Sequence, residues 1–96
     1  MPTLMITAVY EGSAMGALAP GRPIPDLAVD VGGPGRDVLS GRTDATGSLT
    51  IDVPDTGSWS VHITGAVEGG SLLGIRSVEI VGPLALSAVP VRFRPV

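Results

Sequence analysis

The chain has 96 residues, 44% of them hydrophobic, 16% charged and 3% aromatic, with a formal net charge of -3. That length suits one domain, 1–96, built around a single modest core. Cys, Lys, Asn and Gln are absent, so disulfides, thiolate metal sites, Cys nucleophiles and Schiff-base chemistry are excluded, and the acidic balance argues against a nucleic-acid-binding face.

The 14 Gly and 9 Pro residues argue against long helices. Thr3 to Tyr10 alternates, with Leu4, Ile6, Ala8 and Tyr10 on one face and Met5 and Val9 on the other, which predicts a strand apolar on both sides. Residues 11–23 are small and punctuated by Gly and Pro, and predict a loop that can hold one helical turn after Ser13. Ile24 to Val31 alternates, with Leu27, Val29 and Val31 inward and Asp26, Ala28 and Asp30 outward. Gly32-Gly33-Pro34-Gly35 ends that strand, and Val38 to Thr43 reads as a shorter one.

Asp44-Ala45-Thr46-Gly47 has turn chemistry: the Asp can accept from the backbone ahead of it, and the Gly can take a positive φ. Ser48 to Val53 then alternates, and Pro54-Asp55-Thr56-Gly57 makes a second turn. Ser58 to Thr64 alternates again, with Trp59, Val61 and Ile63 inward and Ser58, Ser60, His62 and Thr64 outward. Two such turns between alternating runs predict an antiparallel meander.

Gly65 to Gly70 reads as a loop, and Leu72 to Val81 as an apolar strand with a bulge near Gly74. Gly82-Pro83 breaks the chain before a last strand, Leu84 to Phe93, in which Val89, Val91 and Phe93 face inward. Pro90 predicts an edge position or a bulge there. About seven strands with no helix predict an all-β protein, an antiparallel two-sheet sandwich.

The candidate sites are few. His62 is the one histidine of the chain, the residue type suited to general acid–base work, and Ser60 with an Asp could pose beside it as a hydrolase triad or a metal site. No G-x-S-x-G turn accompanies it. Asp26, Asp30, Asp44, Asp52 and Asp55 could offer oxygens to Ca2+, but no D-x-D-x-D-G loop occurs. The Gly32 to Arg36 loop lacks the Lys-Ser/Thr of a phosphate-binding loop. Arg92 and Arg94 form the sole basic cluster and read as a solvated strand face. Asp44, Gly47, Pro54 and Gly57 are read as structural turns and Trp59 as core, so no catalytic, cofactor or metal residue is assigned.

The stretch RPIPDLAVDV followed by GRTDATGSLTIDVPDTGSWSVHITG resembles the carboxypeptidase regulatory-like domains of the transthyretin-like (prealbumin-like) group. Pro25, Thr43, Asp44, Gly47, Pro54, Gly57 and Trp59 hold the places of that pattern, which covers residues 22–65. The resemblance implies an Ig-like sandwich and a mostly non-catalytic module. The group's enzymatic branch, which hydrolyses 5-hydroxyisourate, uses several His and Arg residues and a Tyr-Arg-Gly-Ser tail. This chain has one His and ends Phe93-Arg94-Pro95-Val96, so those catalytic residues do not carry over.

Mean hydropathy is positive, high for so small a domain. Apolar surface beyond one core's needs points to a partner, and the doubly apolar strands place that surface at Met5, Val9, Leu72 and Leu73. The leading expectation is a structural module with protein partners, a homo-oligomer or part of a larger assembly, such as the decoration or tail of a virion capsid. Two rivals are a secreted or cell-surface adhesion domain and a small hydrolase or metal-binding protein using His62. The N-terminus reads as a natural start without a secretory leader, consistent with a virion or cytoplasmic setting. No stretch is apolar enough for a transmembrane helix.

Overall fold

A computed structural model of the protein describes residues 1–14, 16 and 18–95. The expected helical turn after Ser13 falls partly on Met15 and Ala17, outside the described residues. Among those described the protein is all-β, with seven strands: β1 (Thr3–Tyr10), β2 (Ala28–Gly32), β3 (Leu39–Arg42), β4 (Ser48–Asp52), β5 (Gly57–Val67), β6 (Gly70–Ile80) and β7 (Leu84–Pro95). No helix is long and apolar enough to cross a membrane.

The strands form one nearly closed, barrel-like sheet in the order β3-β2-β5-β6-β7-β1-β4. The alternation read from the sequence sets which side chains enter it. Leu4, Ile6, Ala8 and Tyr10 from β1 meet Val29 and Val31 from β2, Trp59, Val61 and Ile63 from β5, and Val89 and Val91 from β7 in one core. Leu49 of β4 lies over Gly41 of β3, which brings the two terminal strands of the sheet together.

Several expectations are corrected. Residues 43–64 are not a meander: β4 pairs with β1, whereas β5 pairs with β2 and β6. A turn reverses the chain equally well into a hairpin or into a crossing between distant strands, and a period of two is the same in both. The sheet is not wholly antiparallel, because β1 and β7 run parallel, from Thr3 opposite Leu84 to Tyr10 opposite Val91. These are the first and last strands, so almost the whole chain serves as the crossover that parallel pairing requires. Ile24 to Leu27 lies outside β2. There the buried Thr43 hydroxyl accepts from the Leu27 N–H at 2.8 Å and donates to the Ile24 carbonyl at 3.0 Å.

The expected loop at 65–70 is instead a two-residue connection, Glu68-Gly69, inside one long β5–β6 hairpin. Its register runs unbroken from Gly57 opposite Ile80 to Val67 opposite Gly70, so there is no bulge at Gly74. Gly74 has another reason. A Cβ there would sit 2.7 Å from the Pro90 carbonyl oxygen, so only a glycine lets β7 pass this close.

Strands β6 and β7 pair only over Gly70–Leu73 opposite Arg92–Pro95. Beyond Leu73 they exchange no ladder bonds, and the Arg76 guanidinium reaches across to the Ala88 carbonyl at 3.1 Å. Pro90 sits just past the last ladder pair, where its carbonyl still lies against Gly74. The Glu11 N–H donates to the Val91 carbonyl, so the neighbouring residue 90 faces away from β1, toward the side where no ladder donor is needed. β7 is an interior strand of the sheet, yet here its flank behaves as an edge.

Candidate functional site

The parting of β6 from β7 leaves two outer faces of opposite chemistry. On β3-β2-β5-β6, pairing sets Ser40 beside Asp30, Asp30 beside His62 and His62 beside Ile75 in one row. Ser40 donates to Asp30 Oδ1 at 2.7 Å. At opposite ends of this face, Ser58 donates to Glu79 at 2.5 Å and Arg42 Nε pairs with Asp26 at 3.0 Å. An open concavity of about 450 Å3 lies between His62, Ser60, Asp30 and Val38, floored by Gly32 and Gly33.

Ser60, His62 and Asp30 are therefore neighbours, as the triad reading required. Their hydrogen bonding follows another pattern, because the Asp30 carboxylate takes its side-chain hydrogen bond from Ser40. A base in a triad must receive the nucleophile's proton and be oriented by the acid. Among the described residues no group of three His, Asp or Glu side chains is placed to hold a metal ion.

On β4-β1-β7 the rows are Asp52, Thr3 and Leu84, then Thr50, Met5 and Leu86, then Ser48, Thr7 and Ala88. Among the described residues Asp52 is the one ionisable side chain in these rows, and it accepts from the Thr3 hydroxyl at 2.9 Å. Leu84 is 60% exposed, Leu86 69% and Met5 39%. Val81, in the turn just before β7, is also exposed.

The four residues expected at an interface separate. Met5 lies in this patch, and Val9 is half-buried at its far end opposite Pro90. Leu72 is in the core at 1% exposure and offers no outward surface. Leu73 is half-buried on the other face, opposite Thr64. Leu84 and Leu86 were missed, although parity marks them: if Val89 and Val91 face inward, residues 84 and 86 face out.

The turn and core residues hold the ends of the body. Asp44 Oδ1 accepts from the Thr46 hydroxyl at 2.6 Å and from the Thr46 and Ser48 N–H groups at 2.8 and 3.1 Å. The Thr46 hydroxyl first, and then these N–H groups, hold the Asp44 carboxyl below its ordinary value of 3.8. Gly47 has φ +77°, and its carbonyl accepts from the Ala8 N–H at 2.9 Å.

Pro54 is exposed, and beyond it the Trp59 indole N–H donates to the Asp55 carbonyl at 3.2 Å. Trp59 is buried, with the Arg36 guanidinium 4.3 Å from its ring centroid. Arg36 also pairs with Asp55 at 3.2 Å and donates to the carbonyls of Ser58 and Thr56 at 2.5 and 3.1 Å. A Cβ on Gly57 would come within 2.9 Å of it. The Gly32 to Arg36 loop thus caps the core with a guanidinium whose three nitrogens are each engaged. Spacing alone carried no sign of this contact.

Compared with known proteins, the chain matches no family model and has no significant similarity to a curated sequence.

Proposed function

We propose that the protein is a non-catalytic interaction module that packs into a larger protein assembly through the outer face of β4-β1-β7. The observation that carries this reading is the patch of Met5, Leu84 and Leu86 at one end of the face, where the rows from residue 84 to residue 88 carry a single carboxylate and the basic Arg92 and Arg94 stand further along β7. A face left to water ordinarily carries charge, and a contiguous apolar patch marks an interface. The engagement of Asp30 by Ser40 favours the non-catalytic reading over a hydrolase at His62.

The body is read, at the finer level, as an Ig-like two-sheet sandwich of the transthyretin-like, carboxypeptidase regulatory-like kind. In that reading β3-β2-β5-β6 and β4-β1-β7 are the two sheets, joined where β6 and β7 still pair. The short β6–β7 ladder and the distinct outer faces support it. A capsid decoration or tail on a virion is the setting this resemblance implies.

The test compares two substitutions on opposite faces in extracts of the native source. The wild-type chain is expected to sediment with a particle far larger than its own 9.7 kDa. Leu86→Arg should lower the particle-bound fraction about tenfold or more, since a charge is then forced into an apolar contact. Ile75→Arg should leave it unchanged. A wild-type chain that sediments free, or two variants that behave alike, would remove the proposal.

A further inference from the structure

We infer that the concavity between Arg42 and Arg94, at the end of the sheet where β6 still pairs with β7, binds a phosphate group, free or carried as a monoester. Strand pairing lays one row of outward positions across five strands there. Arg42 stands beside Ala28, Ala28 beside Thr64, Thr64 beside Leu73 and Leu73 beside Arg92. In the next row Ala66 stands beside Ser71 and Ser71 beside Arg94. An open concavity of about 390 Å3 is lined by Arg42, Arg94, Thr64 and Ser71, with the short side chains of Ala28 and Ala66 leaving room between them, and no carboxylate lines it.

Three of the six basic residues of this acidic chain gather at this end, and their ion pairs leave donors over. Arg92 is paired with Glu11. Arg42 pairs with Asp26 through Nε, and its Nη2 donates to the Asp26 carbonyl, which holds the guanidinium in place. Its Nη1 has no protein acceptor among the described residues. Arg94 has no ion pair among the described residues. The neighbours Arg92 and Arg94 thus differ: one is neutralised by its own chain, and the other joins Arg42 from the far side of the sheet.

The donor set selects the anion. Arg42 and Arg94 reach in from β3 and β7, and the Thr64 and Ser71 hydroxyls stand on the two strands between β2 and β7. Donors from several directions suit the tetrahedral oxygens of phosphate, whereas a carboxylate offers two oxygens in one plane. A long polyanion is disfavoured, because the net charge of -3 repels it beyond this one basic spot. The site lies at the opposite end of β7 from Leu84 and Leu86, so it stands or falls apart from the interface reading.

Amide NMR of the purified full chain, titrated with inorganic phosphate at about pH 7.5 and constant ionic strength, tests the site. The Thr64, Ala66 and Ser71 resonances should shift together and saturate with a Kd of about 1 mM, the weak range expected of an open site. Arg94→Gln should weaken binding about tenfold and Thr64→Val about threefold, while Arg92→Gln stays within about twofold because that guanidinium is already paired. The same spectra report that each variant is folded. A parallel titration with glycerol 3-phosphate identifies the source: tighter binding than inorganic phosphate points to a monoester, and equal or weaker binding to free phosphate. Shifts that fail to saturate by about 20 mM, that sodium chloride reproduces, or that Arg92→Gln and Arg94→Gln reduce alike would overturn the inference.

Discussion

The two outer faces are built from the same kind of strand and differ in what their outward positions carry. On β3-β2-β5-β6, every other residue brings hydroxyls, carboxylates, a guanidinium and His62, and the carboxylates of Asp26, Asp30 and Glu79 each have a side-chain donor. Such a surface is already served by its own neighbours and by water. On β4-β1-β7, the outward positions bring Thr, Ser, Met, Leu and Ala, with Asp52 at one end and Arg92 and Arg94 at the other, and Leu84 and Leu86 are the exposed leucines. The contrast teaches that surplus apolar content in a small β protein is informative only once it has been located. Spread over both faces it would be ordinary surface. Here Met5, Leu84 and Leu86 share one face, while Ile75 stands exposed on the other.

The comparison assumes that the two halves form one cooperative body, and the largest expected effect tests that assumption. Gly47 stands at the corner where the chain passes from β3 to β4, at the opposite edges of the sheet. A Cβ there would lie 2.5 Å from Pro23 Cβ and 2.9 Å from the Ile24 nitrogen, at a φ of +77° that L residues rarely adopt. Gly47→Ala should cost about 3 kcal/mol or more, combining left-handed strain with a clash against backbone. For a domain of this size that is a fall in Tm of more than about 10 °C. Thermal unfolding followed by circular dichroism checks it. A change under about 1 kcal/mol would mean that the corner yields and that the two halves are less firmly coupled than their shared core implies.

Much of this architecture was legible in the sequence, and the illegible part has a common cause. The inward sets Leu4-Ile6-Ala8-Tyr10, Val29-Val31 and Trp59-Val61-Ile63 follow from alternation alone, because each strand buries one face. Pairing partners do not follow from it. Ser48 to Asp52 alternates identically whether it returns beside β3 or crosses to β1, and the crossing is decided by long-range packing. The glycine at position 74 was read as a local irregularity because its cause, the passage of Pro90, lies 16 residues away in the chain. Leu72 was assigned to the surface for a similar reason. In a run as apolar as Leu72-Leu73 the phase is ambiguous until a neighbour fixes it. Arg36 over Trp59 had no local signature at all, since a cation and a ring 23 residues apart meet only after β2 and β5 have paired.

That contact supplies a prediction of intermediate size, confined to one half of the molecule. Arg36 is half-buried, covers the ring of Trp59 and donates to two carbonyls. Arg36→Ala should destabilise the protein by about 2 kcal/mol, from the lost cation–π contact and hydrogen bonds to a charged donor. It should also shift Trp59 emission to the red as water reaches the ring. Arg36→Lys should recover only part of the loss, because an ammonium cannot reproduce the fork that spans Thr56 and Ser58. Sedimentation with a larger particle in native extract should be unchanged in both variants, since the site lies away from the β4-β1-β7 face. A parallel loss of that binding would mean that the two faces are not independent.

The smallest effect belongs to Asp44, at the same corner as Gly47, and it appears in the pH dependence of stability. The Thr46 hydroxyl and the Ser48 and Thr46 N–H groups favour the ionised carboxylate, so its pKa is lower in the folded chain than the ordinary 3.8. Between the folded and unfolded values the unfolded chain binds more protons, and stability therefore rises with pH across that window. The contribution is fully present above 3.8 and is lost as pH falls through the depressed folded value. Asp44→Asn removes the titration while keeping an oxygen that can accept. It should make the acid limb of the stability curve shallower below about pH 4 and bring variant and wild type together at the acid end. Urea unfolding at a series of pH values measures the slope difference directly. Parallel curves would show that the Asp44 turn forms equally well with a neutral acceptor, leaving the positive-φ glycine beside it as the residue that makes the corner.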